Sequence, residues 1–365
     1  MHQIRHLTAH LEQLAPLAYQ ESYDNAGLIV GDSNAEITGV LVTLDATEAV
    51  IDEAIAAGCN VIVAHHPIVF KGLKRLSGQS YVERAVIKAI KNDVALYASH
   101  TNLDNVAGGV NFKIAEKLGL QNVQILAPKT QVLTKLVTFV PVADTQRVLN
   151  ALHEAGAGQI GNYANCSFRV EGTGAYQAGP GANPVLGAIG EYHRETEHRI
   201  EVIFPMHQQG LLLTALRRAH PYEEVAYYLT PVTNTNQDVG AGAVGNLPEA
   251  VDGPSWLTYL KKKMNLSLIR HTHLPDTISR VAVCGGVGSF LLPDAVRSGA
   301  GVFVTADYKY HEFFDADDRI GICDIGHYES EVFTKELIQA HLAKKFATFA
   351  VILSKTNTNP VRYFY

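Results

Sequence analysis

Cysteine is scarce in this chain and poorly placed for cross-linking. Cys59, Cys166, Cys284 and Cys323 are widely scattered, form no Cys-x-x-Cys pair, and each sits in or beside an apolar run. That pattern excludes a disulfide framework and a cysteine zinc knot, and predicts buried free thiols. Long apolar runs are also missing: none reaches about 18 residues, so no segment reads as a membrane span. The opening residues lack the basic-then-apolar order of a secretory signal, and a cytoplasmic protein without a membrane partner is expected. Nor is there a basic excess. Lys plus Arg number 30 against 36 Asp plus Glu, a net charge of -6 that argues against a surface coated with nucleic acid. What is present is ordinary globular composition, 47% hydrophobic and 18% charged over 365 residues, long enough for two or three domains.

The first third alternates strands with helices. Ile4, Leu7, Leu11 and Leu14 mark one face of an opening helix. Turn residues Tyr23-Asp24-Asn25-Ala26-Gly27 precede the apolar Leu28-Ile29-Val30. Strand 39–44 leads to Asp45, and Thr47 is placed to cap a helix that Gly58 closes. The β-branched run Asn60-Val61-Ile62-Val63 delivers Ala64-His65-His66-Pro67, and strand 94–98 delivers Ser99-His100-Thr101-Asn102-Leu103-Asp104. Such alternation predicts a largely parallel sheet covered on both faces. From about residue 130 the order becomes strand (132–140), helix (145–155), strand (163–171), then strand (199–204), helix (208–219), strand (224–229). This β-α-β-β-α-β series is that of a ferredoxin-like unit. Asn234 to Gly245, rich in Asn, Thr and Gly, reads as the linker leaving it. After strand 267–269 the α/β alternation resumes: strand 280–284 enters Gly285-Gly286-Val287-Gly288-Ser289, strand 302–305 reaches Asp307, and strand 320–323 reaches Asp324 to Glu331. The boundaries implied are 1–129 and 237–365 as two halves of a core, with 130–236 inserted between them.

Candidate chemistry collects at strand ends, the usual site position in α/β proteins. His65 and His66, Asp104, and the helical pair His327 and Glu331 supply three imidazoles and two carboxylates. The i, i+4 spacing puts His327 and Glu331 on one helix face. Five such side chains suit two divalent ions about 3.5–4 Å apart, with water completing the coordination. Each piece has a plainer reading: a core or loop histidine pair, a turn aspartate, a solvated helical ion pair. His100 reads equally as a group orienting a ligand or a general acid/base, ahead of a satisfied core histidine. Asp45 is read as a helix cap before an orienting residue. Gly286-Val287-Gly288-Ser289 is read as a tight turn before a phosphate cradle, lacking the Lys of a P-loop. Asp307 and His311 could line a cavity without being ligands.

The motifs Ala-His-His-Pro, Ser-His-Thr-Asn-Leu-Asp and Gly-His-Tyr-x-x-Glu, in that order, together with Asp24-Asn25-Ala26-Gly27-Leu28, resemble the Nif-three-like family of Ngg-interacting-factor-type proteins. Its members are commonly labelled GTP cyclohydrolase I type 2 homologues. The resemblance implies a two-part α/β core around a dinuclear metal site, assembled as a toroidal homohexamer. It places His65 and Asp104 on one metal, His66 and His327 on the other, and Glu331 between them. Glu331 and, from its place four residues before Asp104, His100 are the catalytic candidates. Zinc is expected first, with iron, manganese or cobalt as alternatives. The insertion resembles PII and CutA proteins through His220-Pro221-Tyr222-Glu223-Glu224-Val225-Ala226-Tyr227, implying a structural or lid role, or a regulatory ligand site. The implied activity is metal-dependent hydrolysis of a nucleotide or similar phosphorylated small molecule. The alternative is a non-catalytic metal-binding ring scaffold.

Overall fold

A computed structural model describes residues 2–364. The chain divides into two compact units, one of Lys129–Gln237 and one formed by the residues before and after that segment.

The larger unit is built on two sheets. In the first, five strands run in the order Gly27–Val30, Ala95–Ala98, Val61–His66, Gly39–Asp45, Ala350–Leu353. All neighbours are parallel except Gly27–Val30, which is antiparallel to Ala95–Ala98. Val61–His66 is therefore central, flanked on both sides, and its near-continuous burial matches the unbroken apolar run of a strand covered on both faces. The second sheet has six strands in the order Arg270–His271, Gly321–Asp324, Val302–Ala306, Ile278–Val287, Asn236–Val251, Gln121–Lys129. Its three middle strands, Ile278–Val287, Val302–Ala306 and Gly321–Asp324, are parallel. One apolar cluster joins both sheets to the opening helix Ile4–Leu14 and the helices Val110–Lys117, Gly253–Met264 and Thr334–Lys345, with Trp256 fully buried.

The Asn, Thr and Gly-rich stretch expected as a linker is a strand, Asn236–Val251. Its glycines are packing devices. A Cβ on Gly240 would stand 2.3 Å from the Ala127 carbonyl oxygen, and one on Gly245 3.0 Å from that of Gln121. Glycine in a strand marks close approach of a second backbone, and here that backbone is the strand Gln121–Lys129, which composition alone did not single out. Strand 267–269 is also displaced, to Arg270–His271. Three cysteines are buried and free as expected; Cys166 is only half-buried.

The smaller unit has strands Leu133–Pro141, Phe168–Gln177, Tyr192–Pro205 and Tyr227–Val232 with helices Thr145–Glu154 and Gln209–Ala219. The sheet runs second, third, first, fourth, entirely antiparallel, which is the ferredoxin-like order. The second strand starts later than the apolar reading placed it, and the third starts earlier, because the two form a long hairpin whose polar residues the apolar pattern could not register.

Two expectations follow for stability. Gly240→Ala sets a Cβ against backbone that cannot swing aside, and should cost about 1–3 kcal/mol in thermal or denaturant unfolding. The second concerns Glu53, whose carboxylate accepts hydrogen bonds from Ser354 Oγ at 2.6 Å, the Lys355 N–H at 2.7 Å and Thr356 Oγ1 at 2.7 Å, tying down the chain after its last strand. Burial works against the charge, but these donors outweigh it and hold Glu53 below its ordinary pKa. A lowered folded pKa stabilises above the unfolded value and is lost as pH falls through the folded one. The melting difference between wild type and Glu53→Gln should thus be full near neutrality and shrink below about pH 4.3.

Candidate metal centre

The site is assembled at the carboxyl ends of strands from both sheets of the larger unit. His65 and His66 occupy the last two positions of Val61–His66; the strand runs through them, yet their rings lie 4.9 Å apart. Strand Ala95–Ala98 feeds Ser99 and His100 into the one-turn helix Thr101–Asp104, which ends on Asp104. Strand Gly321–Asp324 feeds the helix His327–Glu331 through Gly326, whose φ of +91° suits glycine. All five residues expected as ligands converge.

Glu331 is the hub, with only 3% of its surface exposed. Its Oε2 lies 2.9 Å from His66 Nε2, 3.0 Å from His327 Nε2 and 3.8 Å from His65 Nε2. His66 Nε2 and His327 Nε2 are themselves 3.3 Å apart. On the other side, His65 Nε2 faces Asp104 Oδ1 at 3.7 Å. The donors thus form two groups that share Glu331: His66, His327 and Glu331, and His65, Asp104 and Glu331. His65, His66 and His100 form a third close group.

Each imidazole is held from behind. His65 is fully buried and its Nδ1 donates to the Ser99 carbonyl at 2.8 Å, so Nε2 carries a bare lone pair. His66 Nδ1 bonds Asp45 Oδ1 at 2.7 Å, and His327 Nδ1 bonds Asp307 Oδ2 at 2.6 Å. His100 Nδ1 bonds Asp24 Oδ1 at 2.7 Å, and Asp24 also accepts from the Thr101 backbone and hydroxyl. A carboxylate or carbonyl behind a histidine fixes its tautomer and raises its basicity, the usual arrangement around metal-binding imidazoles. Thr47 caps helix Glu48–Ala56 as expected, accepting from the Val50 N–H. Asp45, read as a cap before an orienting residue, takes the orienting role: it holds His66, its register partner on the adjacent strand. Asp24 was read as turn chemistry and as part of a motif with no role assigned, and Asp307 as cavity lining. Neither role had a signal in linear spacing. His311 is exposed, stacks near Phe314, and takes no part.

Burial and charge act on these groups together. Burial disfavours the Glu331 charge, but the imidazoles of His327, His65 and His66 overcome it and hold the carboxyl well below its ordinary range. Asp104 is pushed well up, by burial first and then by Glu331. Burial keeps His65 neutral. His66 and His327 lose from burial but gain more from their carboxylates, and rise to about 9 and about 11. At this cluster His65 Nε2 and Asp104 Oδ1 are nevertheless buried without a hydrogen bond among the described residues. A bare lone pair and a bare carboxylate oxygen facing one another are costly when buried, and a cation between them is what would satisfy both. The residues present therefore fit a bound metal.

The glycine turn before helix Leu292–Arg297 is shaped by the hub. Gly286 has φ +58°, and a Cβ there would stand 2.5 Å from Glu331 Oε1 and 3.1 Å from His327 Cε1. Its N–H donates to Ser330 Oγ and that of Gly285 to Asn111 Oδ1, so these amides are already spent. A cavity of about 670 Å³ opens over the site between Tyr23, Phe70, His100 and Phe290; among the described residues no lysine or arginine lines it. A smaller one of about 340 Å³ lies behind His66 and His327, lined by Asp45, Asp307 and Tyr363.

An α/β unit carrying a histidine–carboxylate cluster able to hold metal is thus what fold and site define. Residues 2–360 match the family described as Duf34/NIF3 (NGG1p interacting factor 3), and the chain belongs to that family. A Bacillus subtilis relative named "GTP cyclohydrolase 1 type 2 homolog" is 39% identical over 359 residues, covering 96% of both chains. A Staphylococcus aureus (strain COL) relative of the same name is 34% identical over 97% of each. Among solved structures, a Bacillus cereus protein related to NIF3 superposes with a TM-score of 0.87 at 37% identity, covering 100% of this chain and 99% of that one.

Gly286→Ala should prise Glu331 from the histidines. We expect a loss of about 1–3 kcal/mol in unfolding and, in a crystal structure of the variant, a Glu331 carboxylate moved off His327. An unshifted carboxylate at unchanged stability would contradict the close packing described.

Proposed function

We propose that this protein holds two divalent metal ions per chain and uses them to hydrolyse a small molecule bound in the adjoining cavity. The observation that carries the reading is the pair of buried, unbonded atoms, His65 Nε2 and Asp104 Oδ1, facing the same Glu331 that His66 and His327 share. His65 and Asp104 would hold one ion, His66 and His327 the other, and Glu331 both. Mixed imidazole and carboxylate donors suit zinc first, then iron, manganese or cobalt. When bound, paired divalent ions supply Lewis acidity and bring the pKa of water toward neutrality.

The chain's own residues supply the rest. Asp45, Asp307 and the Ser99 carbonyl keep three imidazoles aimed inward, each with its Nε2 turned toward Glu331. His100, steadied by Asp24, leaves its Nε2 to take or give a proton at the substrate. Tyr23 and Phe70, 6.1 Å apart at the cavity mouth, offer apolar faces to a planar group. With no lysine or arginine along the described cavity wall, an anionic substrate group such as phosphate has only the metal end to turn to. A nucleotide or similar phosphorylated molecule fits that division. The family resemblance adds a homohexameric ring and a cytoplasmic setting, and a PII/CutA-like role for the smaller unit.

Elemental analysis of the purified protein tests the centre. We expect about two ions per chain in wild type and a clear loss in Glu331→Gln, whose amide cannot serve two cations. Asp45→Asn and Asp307→Asn should keep the fold and weaken retention against a chelator by about 10–100-fold. Wild type that takes up no zinc, iron or manganese on incubation would sink the hydrolase reading. Given metal, release of product from a panel of nucleotides and sugar phosphates, abolished in Glu331→Gln, is the functional readout.

A further inference from the structure

The smaller unit has a cavity of its own, about 690 Å³, on the sheet face turned away from its helices. Leu136, Val140, Ile200, Val202 and Phe204 face the helices and form the core. By strand alternation Phe139, Glu197, Arg199 and Tyr228 face the other way, into the cavity. Its floor is cut away by two glycines on strand Phe168–Gln177, Gly172 and Gly174. A Cβ on Gly174 would stand 2.0 Å from Glu197 Oε2, so the carboxylate lies in the space that a side chain at 174 would fill.

Glu197 is the anomaly. It is 8% exposed, and among the described residues no cation pairs with it. Arg199, next along the same face, is committed to Glu201 at 2.8 Å. His220 is buried, donates Nε2–H to the Phe139 carbonyl at 2.8 Å and accepts the Tyr222 N–H on Nδ1 at 3.1 Å, so it is a neutral, satisfied imidazole. Against the carboxylate stands the Tyr222 hydroxyl, whose oxygen is itself buried with no hydrogen bond of good geometry. A buried carboxylate without a counter-charge is expensive, and it is tolerated where a ligand supplies the charge. The rest of the lining agrees in sign and shape. Glu223 and Glu224, both exposed, add negative charge to the lining, and Glu223 accepts the Asn183 N–H at 2.7 Å. Two aromatic pairs wall the space: Tyr176 with Tyr222 at 6.2 Å and Phe139 with Tyr228 at 5.8 Å, both edge-on.

We propose that this cavity is a binding site for a small organic cation, a protonated primary amine on an apolar body. The ammonium bonds the Glu197 carboxylate and the Tyr222 hydroxyl, and the body lies against the rings. Charge-assisted hydrogen bonds give the recognition, and the ring faces add cation–π attraction. The site lies wholly within Lys129–Gln237 and does not depend on the metal centre.

The test uses the full chain and three probes of one shape: phenethylammonium, the neutral 2-phenylethanol and the anionic phenylacetate. Saturation-transfer NMR and calorimetry should show the ammonium binding in preference to both others. Glu197→Gln, which keeps the shape and removes the charge, should weaken it by about tenfold or more. Tyr228→Ala, at a ring 61% exposed and so dispensable for folding, should weaken it by about two- to fivefold. Glu197→Gln should also melt no lower than wild type, because it relieves an unpaired buried charge, and should keep the same metal content. Equal binding of the three probes, no ammonium binding at millimolar concentration, or a Glu197→Gln protein that melts lower yet binds the amine unchanged would each overturn the proposal.

Discussion

One buried carboxylate organises the larger unit's functional end. Glu331 would be too costly to bury as an ion alone, and it is held in that state by imidazoles from a strand of one sheet and a helix that follows a strand of the other. Those imidazoles need their own partners in turn. Asp45, Asp307 and the Ser99 carbonyl provide them, and the Asp45 carboxylate is itself held by Thr358 near the chain's end. Space for the carboxylate comes from Gly286, where any side chain would collide with it. Residues far apart in sequence are thus bound to one atom, Glu331 Oε2, and the convergence of strand ends is what brings them there.

The two cavities share a physical theme. Each has a buried carboxylate in its wall, and each presents a polar atom that the chain leaves without a hydrogen bond. In the larger unit the unsatisfied atoms are an imidazole lone pair and a carboxylate oxygen, hard and borderline donors that suit a metal cation. In the smaller unit the unsatisfied atom is a phenol oxygen beside the Glu197 carboxylate, among aromatic rings, which suits the organic cation proposed. The chemistry of the donors, more than the sign of the field, separates the two.

Much of this was legible in the chain. His65, His66, Asp104, His327 and Glu331 stood out because they follow apolar runs that end in a shared sheet edge, and because the motifs around them, taken in order, resemble one family. The αββα alternation of the smaller unit could be counted from its periodicities. The supporting residues were less visible. Asp24, Asp45 and Asp307 are separated from the histidines they hold by tens of residues, and an aspartate after a strand looks like a cap in any single sequence. Strand Asn236–Val251 was hidden for a different reason: the glycines that let it press against Gln121–Lys129 are the same residues that mark loops elsewhere. Glu197 carried no signal at all, since burial of a charged residue on an otherwise polar strand depends on glycines across the hairpin.

The most direct test of the proposed dinuclear centre is a crystal structure of the wild-type protein soaked with zinc, with anomalous scattering recorded on both sides of the zinc edge. Two peaks per chain are predicted, one beside His65 and Asp104 and one beside His66 and His327, with Glu331 touching both. A single peak, or none, over an intact cluster would contradict it.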